Sequence, residues 1–187
     1  MITVAGGDSF IWGSELDDCP HGGPDGYSRK TFPALLAGES YVCAAYPGIG
    51  NREIANRTKE ICEQLAVVTI NQLAIVSWTW PSRDRELSAD THIIELQDFL
   101  QSQNIPYIFT CADNCVVSGN PSIDWDNWYL FPASTESYET LTPRGFYQWA
   151  VENKYNIGIE HHPLEQAHSD AADLIRERFD ELVSKSL

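Results

Sequence analysis

No run of apolar residues in this chain reaches the ~18 needed to cross a bilayer, so a membrane-spanning helix is not expected. Positive charge is scarce as well. Only 12 Lys and Arg stand against 27 Asp and Glu, a formal net charge of −15 over 187 residues. So acidic a surface repels phosphate backbones and anionic bilayers, so nucleic-acid binding through a broad basic face is not expected. The start, MITVAGGDS, has neither a basic n-region nor a long apolar h-region; no signal peptide is read and a cytoplasmic location is expected. Cysteines are few and odd in number: Cys19, Cys43, Cys62, Cys111 and Cys115. Cys111 and Cys115 form a lone C-x3-C with no second pair at metal spacing. Reduced, buried thiols are therefore expected rather than a disulfide framework or a metal site. Repeats, low-complexity tracts and internal linkers are absent too.

What remains has a globular composition, 43% apolar and 21% charged, and suits one domain spanning residues 1–187. Residues 2–6 (ITVAG) read as a short buried strand. Thr31 to Gly38 reads as a short helix, with Pro33 in its first turn and Gly38 as its stop. Ser40 to Tyr46 is a second strand, the turn PGIGN follows, and a helix covers about Arg52 to Gln64. Leu73 to Ser77 is a third strand. A helix begins at Asp90, and Ile105 to Cys111 is a fourth strand. Residues 112–141 lose periodicity and form a long irregular segment rich in aromatics; loops of that length are often functional. Thr142-Pro143 opens a helix, and a last helix covers about Leu164 to Leu182. Alternating strands and helices predict an α/β fold, a three-layer α/β/α sandwich around a central, mostly parallel sheet.

In such sheets ligands bind beyond the carboxyl ends of the strands. Four turns fall there: Gly7-Asp8-Ser9, Pro47 to Asn51, Trp78 to Pro81, and Ala112-Asp113-Asn114. A serine needs a base within hydrogen-bond reach to act as a nucleophile. The stretch EHHPLEQAH offers one, because Glu165 and His168 lie three apart and share one side of a helical turn. Glu165 could hold the imidazole while its other nitrogen faces Ser9. Asp8 and Ser9 are equally good helix caps. His161 and His162 point apart on regular structure, and with His168 and Asp170 they match no metal-binding spacing; no metal is expected. Trp78, Trp80, Trp125 and Trp128 fit either a ligand platform or a lid packed on the domain. Arg83 and Arg85 fit either an anionic substrate group or pairing with Asp84 and Glu86.

The motifs GGDSFIWGSEL, YPGIGNREIANRT, IVSWTWPSRDRE and HHPLEQAHSDAA, taken in order, resemble the GDSL, or SGNH, hydrolase superfamily over nearly the whole chain, and more narrowly its phage-encoded members. The resemblance implies a flavodoxin-like SGNH hydrolase fold and hydrolysis of acyl or acetyl esters on lipids or sugars without a cofactor. For a phage-encoded chain the location is the host cytoplasm. It implies Ser9 as nucleophile, His168 as base and Glu165 as the acid. The N–H groups of Ser9 and Gly48 become oxyanion donors. The family pattern also carries an Asn after the third strand as a third donor. Here that place reads Ser77-Trp78-Thr79-Trp80, which leaves Thr79, Asn51 or Arg83 as substitutes. Two functions are compatible with this pattern: a serine esterase, and a binding or structural protein of the same fold that has lost the chemistry.

Overall fold

The computed structural model describes residues 1–19, 26–69, 71–116, 118–132 and 144–185. Four parallel strands form its centre: β1 (Ile2–Gly6), β2 (Tyr41–Cys43), β3 (Gln72–Trp78) and β4 (Tyr107–Cys111), in the order β2-β1-β3-β4. The strands read as continuous apolar runs because both sheet faces are covered. Successive side chains alternate between the two faces. Val4, Ala74, Val76 and Phe109 enter one core, and Ala5, Leu73, Ile75 and Ile108 enter the other. The first core is closed by α3 (Asn51–Ala66) and α4 (Asp90–Ser102), through Ile54, Ile93 and Leu96. The second is closed by α2 (Phe32–Ala37), α5 (Phe146–Glu152) and α6 (Glu165–Lys185). This is the expected three-layer α/β arrangement.

One element was not anticipated. Ser9–Trp12 forms a one-turn helix, α1, directly after β1. Asp8 caps it by accepting the Phe10 N–H at 3.1 Å, and Gly13 closes it with φ +83°. The cap and the serine are therefore adjacent residues with separate jobs.

The irregular segment is partly core. Trp128 bridges Phe109 at the outer edge of β4, and Tyr129 N–H donates to the Phe109 carbonyl at 2.7 Å. Trp78, fully buried, and Trp128 pack in the first core with Trp125 against them. Of the four tryptophans considered as a platform, Trp80 lines a hollow. Residues 133–141 of the segment, and the helix start at Thr142-Pro143, lie outside the described residues. The five cysteines are free thiols. Burial pushes Cys62 and Cys115 up to about 12, which makes poor nucleophiles of them. No described helix is long and apolar enough to cross a membrane, and the described residues hold no His, Cys, Asp and Glu cluster fit for a metal.

Candidate active site

Parallel strands bring the turns after β1, β2 and β3 to one end of the sheet. The Tyr46 N–H donates to the Gly7 carbonyl at 3.1 Å, which seats the second turn against the first. Ser9 stands at the first position of α1, half-buried. Among the described residues, neither its N–H nor its hydroxyl has a hydrogen-bond partner. An N–H at a helix start has no carbonyl to bond within the helix and is open to an incoming anion. Gly48 is exposed at φ +79°, with no atom within 4 Å of a notional Cβ. Its N–H is likewise without an acceptor among the described residues.

The polar residues around Ser9 are tied to one another. Asp8 is fully buried. Its second carboxylate oxygen accepts the Thr79 hydroxyl at 2.8 Å and meets the Arg83 guanidinium at 3.2 Å. Thr79 also donates its N–H to Asn51 Oδ1 at 2.8 Å and accepts from Asn51 Nδ2 at 2.9 Å. This corrects the expectation for Thr79, whose only hydroxyl proton is spent on Asp8 and which is buried away from solvent. Asn51 is corrected on the same ground, because its side-chain amide clasps a backbone. Arg83, the remaining residue named as a substitute donor, keeps its side chain partly exposed. It donates to the Ile49 carbonyl at 3.1 Å and lies 5.2 Å above the Trp80 ring. Its pairing with neighbouring acids did not materialise. Asp84 instead caps α3 through the N–H groups of Asn51 and Arg52, and Glu86 binds Arg52 and His92.

Removing the Asp8 carboxylate takes a partner from Arg83, Thr79 and the Phe10 N–H together. Asp8→Ala is expected to cost about 3 kcal/mol of stability, on the order of 10 °C in Tm for a domain of this size. Thermal unfolding followed by circular dichroism checks this. A shift of a degree or two would show that the network is slack.

The largest correction concerns the base. His168 is 1% exposed and lies in the second core, its ring centroid 4.6 Å from that of Phe146. Its Nδ1 accepts the Phe32 N–H at 3.2 Å. A neutral imidazole that accepts at Nδ1 carries its proton on Nε2 and has no lone pair left for a serine proton. Burial, helped by nearby His162, pushes its pKa down to about 3. Glu165 does not orient it: the Glu165 carboxylate accepts the Asp17 N–H at 2.8 Å. The expected Glu165–His168 couple is thus not formed, and His168 is a core residue.

The imidazole with the right polarity is His162. Its Nδ1 lies 2.8 Å from Glu15 Oε2. A carboxylate there requires the proton on Nδ1 and leaves the Nε2 lone pair free. Glu15 is fixed by two more donors, the N–H groups of Glu160 at 2.9 Å and His162 at 3.3 Å. Burial raises the Glu15 pKa, but these N–H groups and the His162 ring outweigh it, so the net shift is downward. The close approach depends on Gly158, where a Cβ would sit 2.5 Å from the Glu15 carboxylate. The His162 ring stands edge-on to Phe10, centroids 5.2 Å apart, and Phe10 follows Ser9 directly. Sequence spacing could not disclose Glu15, which is 147 residues from its partner. One signal for His162 was present: Pro163 follows it, so it precedes the last helix instead of lying on it.

No family model matches the chain, and no curated protein sequence matches it. A crystal structure of "a putative acylhydrolase" from Bacteroides fragilis is similar in fold. Its TM-score is 0.58 at 12% identity, over 97% of this chain and 87% of that one. The likeness bears on the architecture alone: this chain shares the three-layer α/β fold of that structure.

Proposed function

We propose that the protein is a serine hydrolase of the SGNH type, acting on an ester, with Ser9 as nucleophile, His162 as general base and Glu15 as its orienting acid. The observation that carries this reading is the Glu15–His162 pair. It is half-buried and correctly polarised, and it abuts the residue next to an unpartnered serine at the end of β1. In the reaction Ser9 Oγ attacks the acyl carbon while His162 Nε2 takes its proton. The free N–H groups of Ser9 and Gly48 receive the oxyanion, each worth about 3–4 kcal/mol in comparable sites. Arg83 supplies positive charge beside them, where the side-chain amide of the family pattern is missing. His162 then protonates the leaving alcohol, and water, activated by the same ring, releases the acyl group. No cofactor takes part in these steps. The fold shared with an acylhydrolase agrees with this reading.

One observation favours a second reading. With Thr79 and Asn51 committed to each other, no neutral side chain among the described residues stands out as a third oxyanion donor, as expected for a binding protein that kept the fold. A fluorophosphonate separates the two. Stoichiometric labelling of Ser9, lost in Ser9→Ala and slowed in His162→Ala, supports the hydrolase. No label under conditions that modify a control esterase leaves the binding protein.

A further inference from the structure

Phe10, Trp80, Tyr147 and His161 line an open hollow of about 290 Å³ on the flank of α1, one residue from Ser9. Granting that Ser9 is the nucleophile, we infer that this hollow seats an aliphatic chain of the ester, and that the preferred substrate carries a chain longer than acetyl.

Three observations point there. The walls are aromatic rings. Phe10 stacks on Tyr147 at 6.1 Å and 9°, and meets Trp80 edge-on at 6.4 Å and 65°. The lining presents far more apolar than polar surface. A sugar would need several placed donors and acceptors, whereas an alkyl chain needs only apolar contact. The walls are also fixed before any ligand arrives. Arg83 lies over the Trp80 ring, His162 backs Phe10, and Tyr147 N–H is held by the Ala112 carbonyl at 2.8 Å. Finally, both loops that supply these walls leave a large aliphatic side chain in water. Leu87, 105% exposed, follows the Trp80 turn, and Ile159, 95% exposed, precedes His161. Isolated exposed apolar residues are ordinary, but these two lie on the same loops as Trp80 and His161.

The test is a chain-length series of p-nitrophenyl esters from acetate to octanoate, run beside acetate esters of alcohols of matching length. If the chain enters on the acyl side, kcat/KM rises about two- to four-fold per methylene in the first series through hexanoate, the range for a partly to fully buried CH2. If it enters on the alcohol side, the rise appears in the second series. His161→Gly removes a wall at φ +67°, where glycine is at ease, so the fold is kept. That variant and Tyr147→Ser are expected to lower the hexanoate-to-acetate ratio, or its alcohol counterpart, at least fivefold. A flat profile in both series, with Ser9 still labelled by the fluorophosphonate, overturns the chain site alone. A Ser9 that takes no label overturns the hydrolase reading and the chain site with it.

Discussion

His162→Ala is expected to lower kcat/KM for a soluble ester by about 10⁴- to 10⁶-fold, the usual loss when the base of a triad is removed. Glu15→Gln is expected to cost about 10²- to 10⁴-fold. The amide no longer enforces the proton on Nδ1, and the ring can turn to the wrong tautomer. His168→Gln, by contrast, keeps an acceptor for the Phe32 N–H and removes no group from the proposed chemistry; its rate should stay within a few-fold of wild type. Steady-state hydrolysis of p-nitrophenyl butyrate by the three purified variants decides the matter. Full activity in His162→Ala together with collapse in His168→Gln would restore the base that the helical spacing suggests.

His168 has a second and separate consequence, in acid stability. Its ordinary pKa is 6.5, and burial in the folded protein brings it to about 3. Between those values the unfolded chain holds the extra proton and the folded chain does not. Stability from this group is therefore complete above pH 6.5 and falls as the pH drops, by about 1.4 kcal/mol per pH unit. The physical cause is plain: protonating Nδ1 would set its N–H against the Phe32 N–H in an apolar core. At pH 4.5 the loss is about 2.7 kcal/mol, a large share of a typical domain's stability. Urea titrations between pH 7 and 4.5 should show a steep decline for wild type and a shallower one for His168→Gln. The two slopes should differ by about 1.4 kcal/mol per unit below pH 6. Equal slopes would mean that His168 is hydrated, contrary to its buried place.

The same residue shows how far the amino-acid pattern could lead. Strands β1, β3 and β4 are legible because each is an apolar run cut off by Gly, Pro or Asp. α6 is legible because its apolar residues recur every three or four positions. That recurrence includes position 168, in line with Ala171, Ala172, Ile175 and Phe179. A histidine on the inward stripe of an amphipathic helix is a core residue, and this periodicity is stronger information than its spacing from Glu165. The Ser9 turn could be located because strand ends in a parallel sheet are where polar turns converge. Glu15 could not be found, since nothing local marks a residue at φ +69° whose partner comes from the far end of the chain. Thr79 and Asn51 have the right donor chemistry, but composition does not say that two donors will satisfy each other.

The chain of contacts from Asp8 through Thr79 to Asn51, with Arg83 reaching Ile49, joins the ends of β1, β2 and β3. Mechanically it is a brace. The three loops on that side must shift together or not at all, since moving one would strip a buried carboxylate of its partners. The opposite rim is held as well: the Ala112 carbonyl fixes the Tyr147 N–H at the start of α5, and the Glu15 carboxylate fixes the N–H groups on either side of His161. In the proposed hydrolase both sides of the mouth are thus set in advance, and a substrate is sorted by whether it fits a standing frame and not by how far it can push one open.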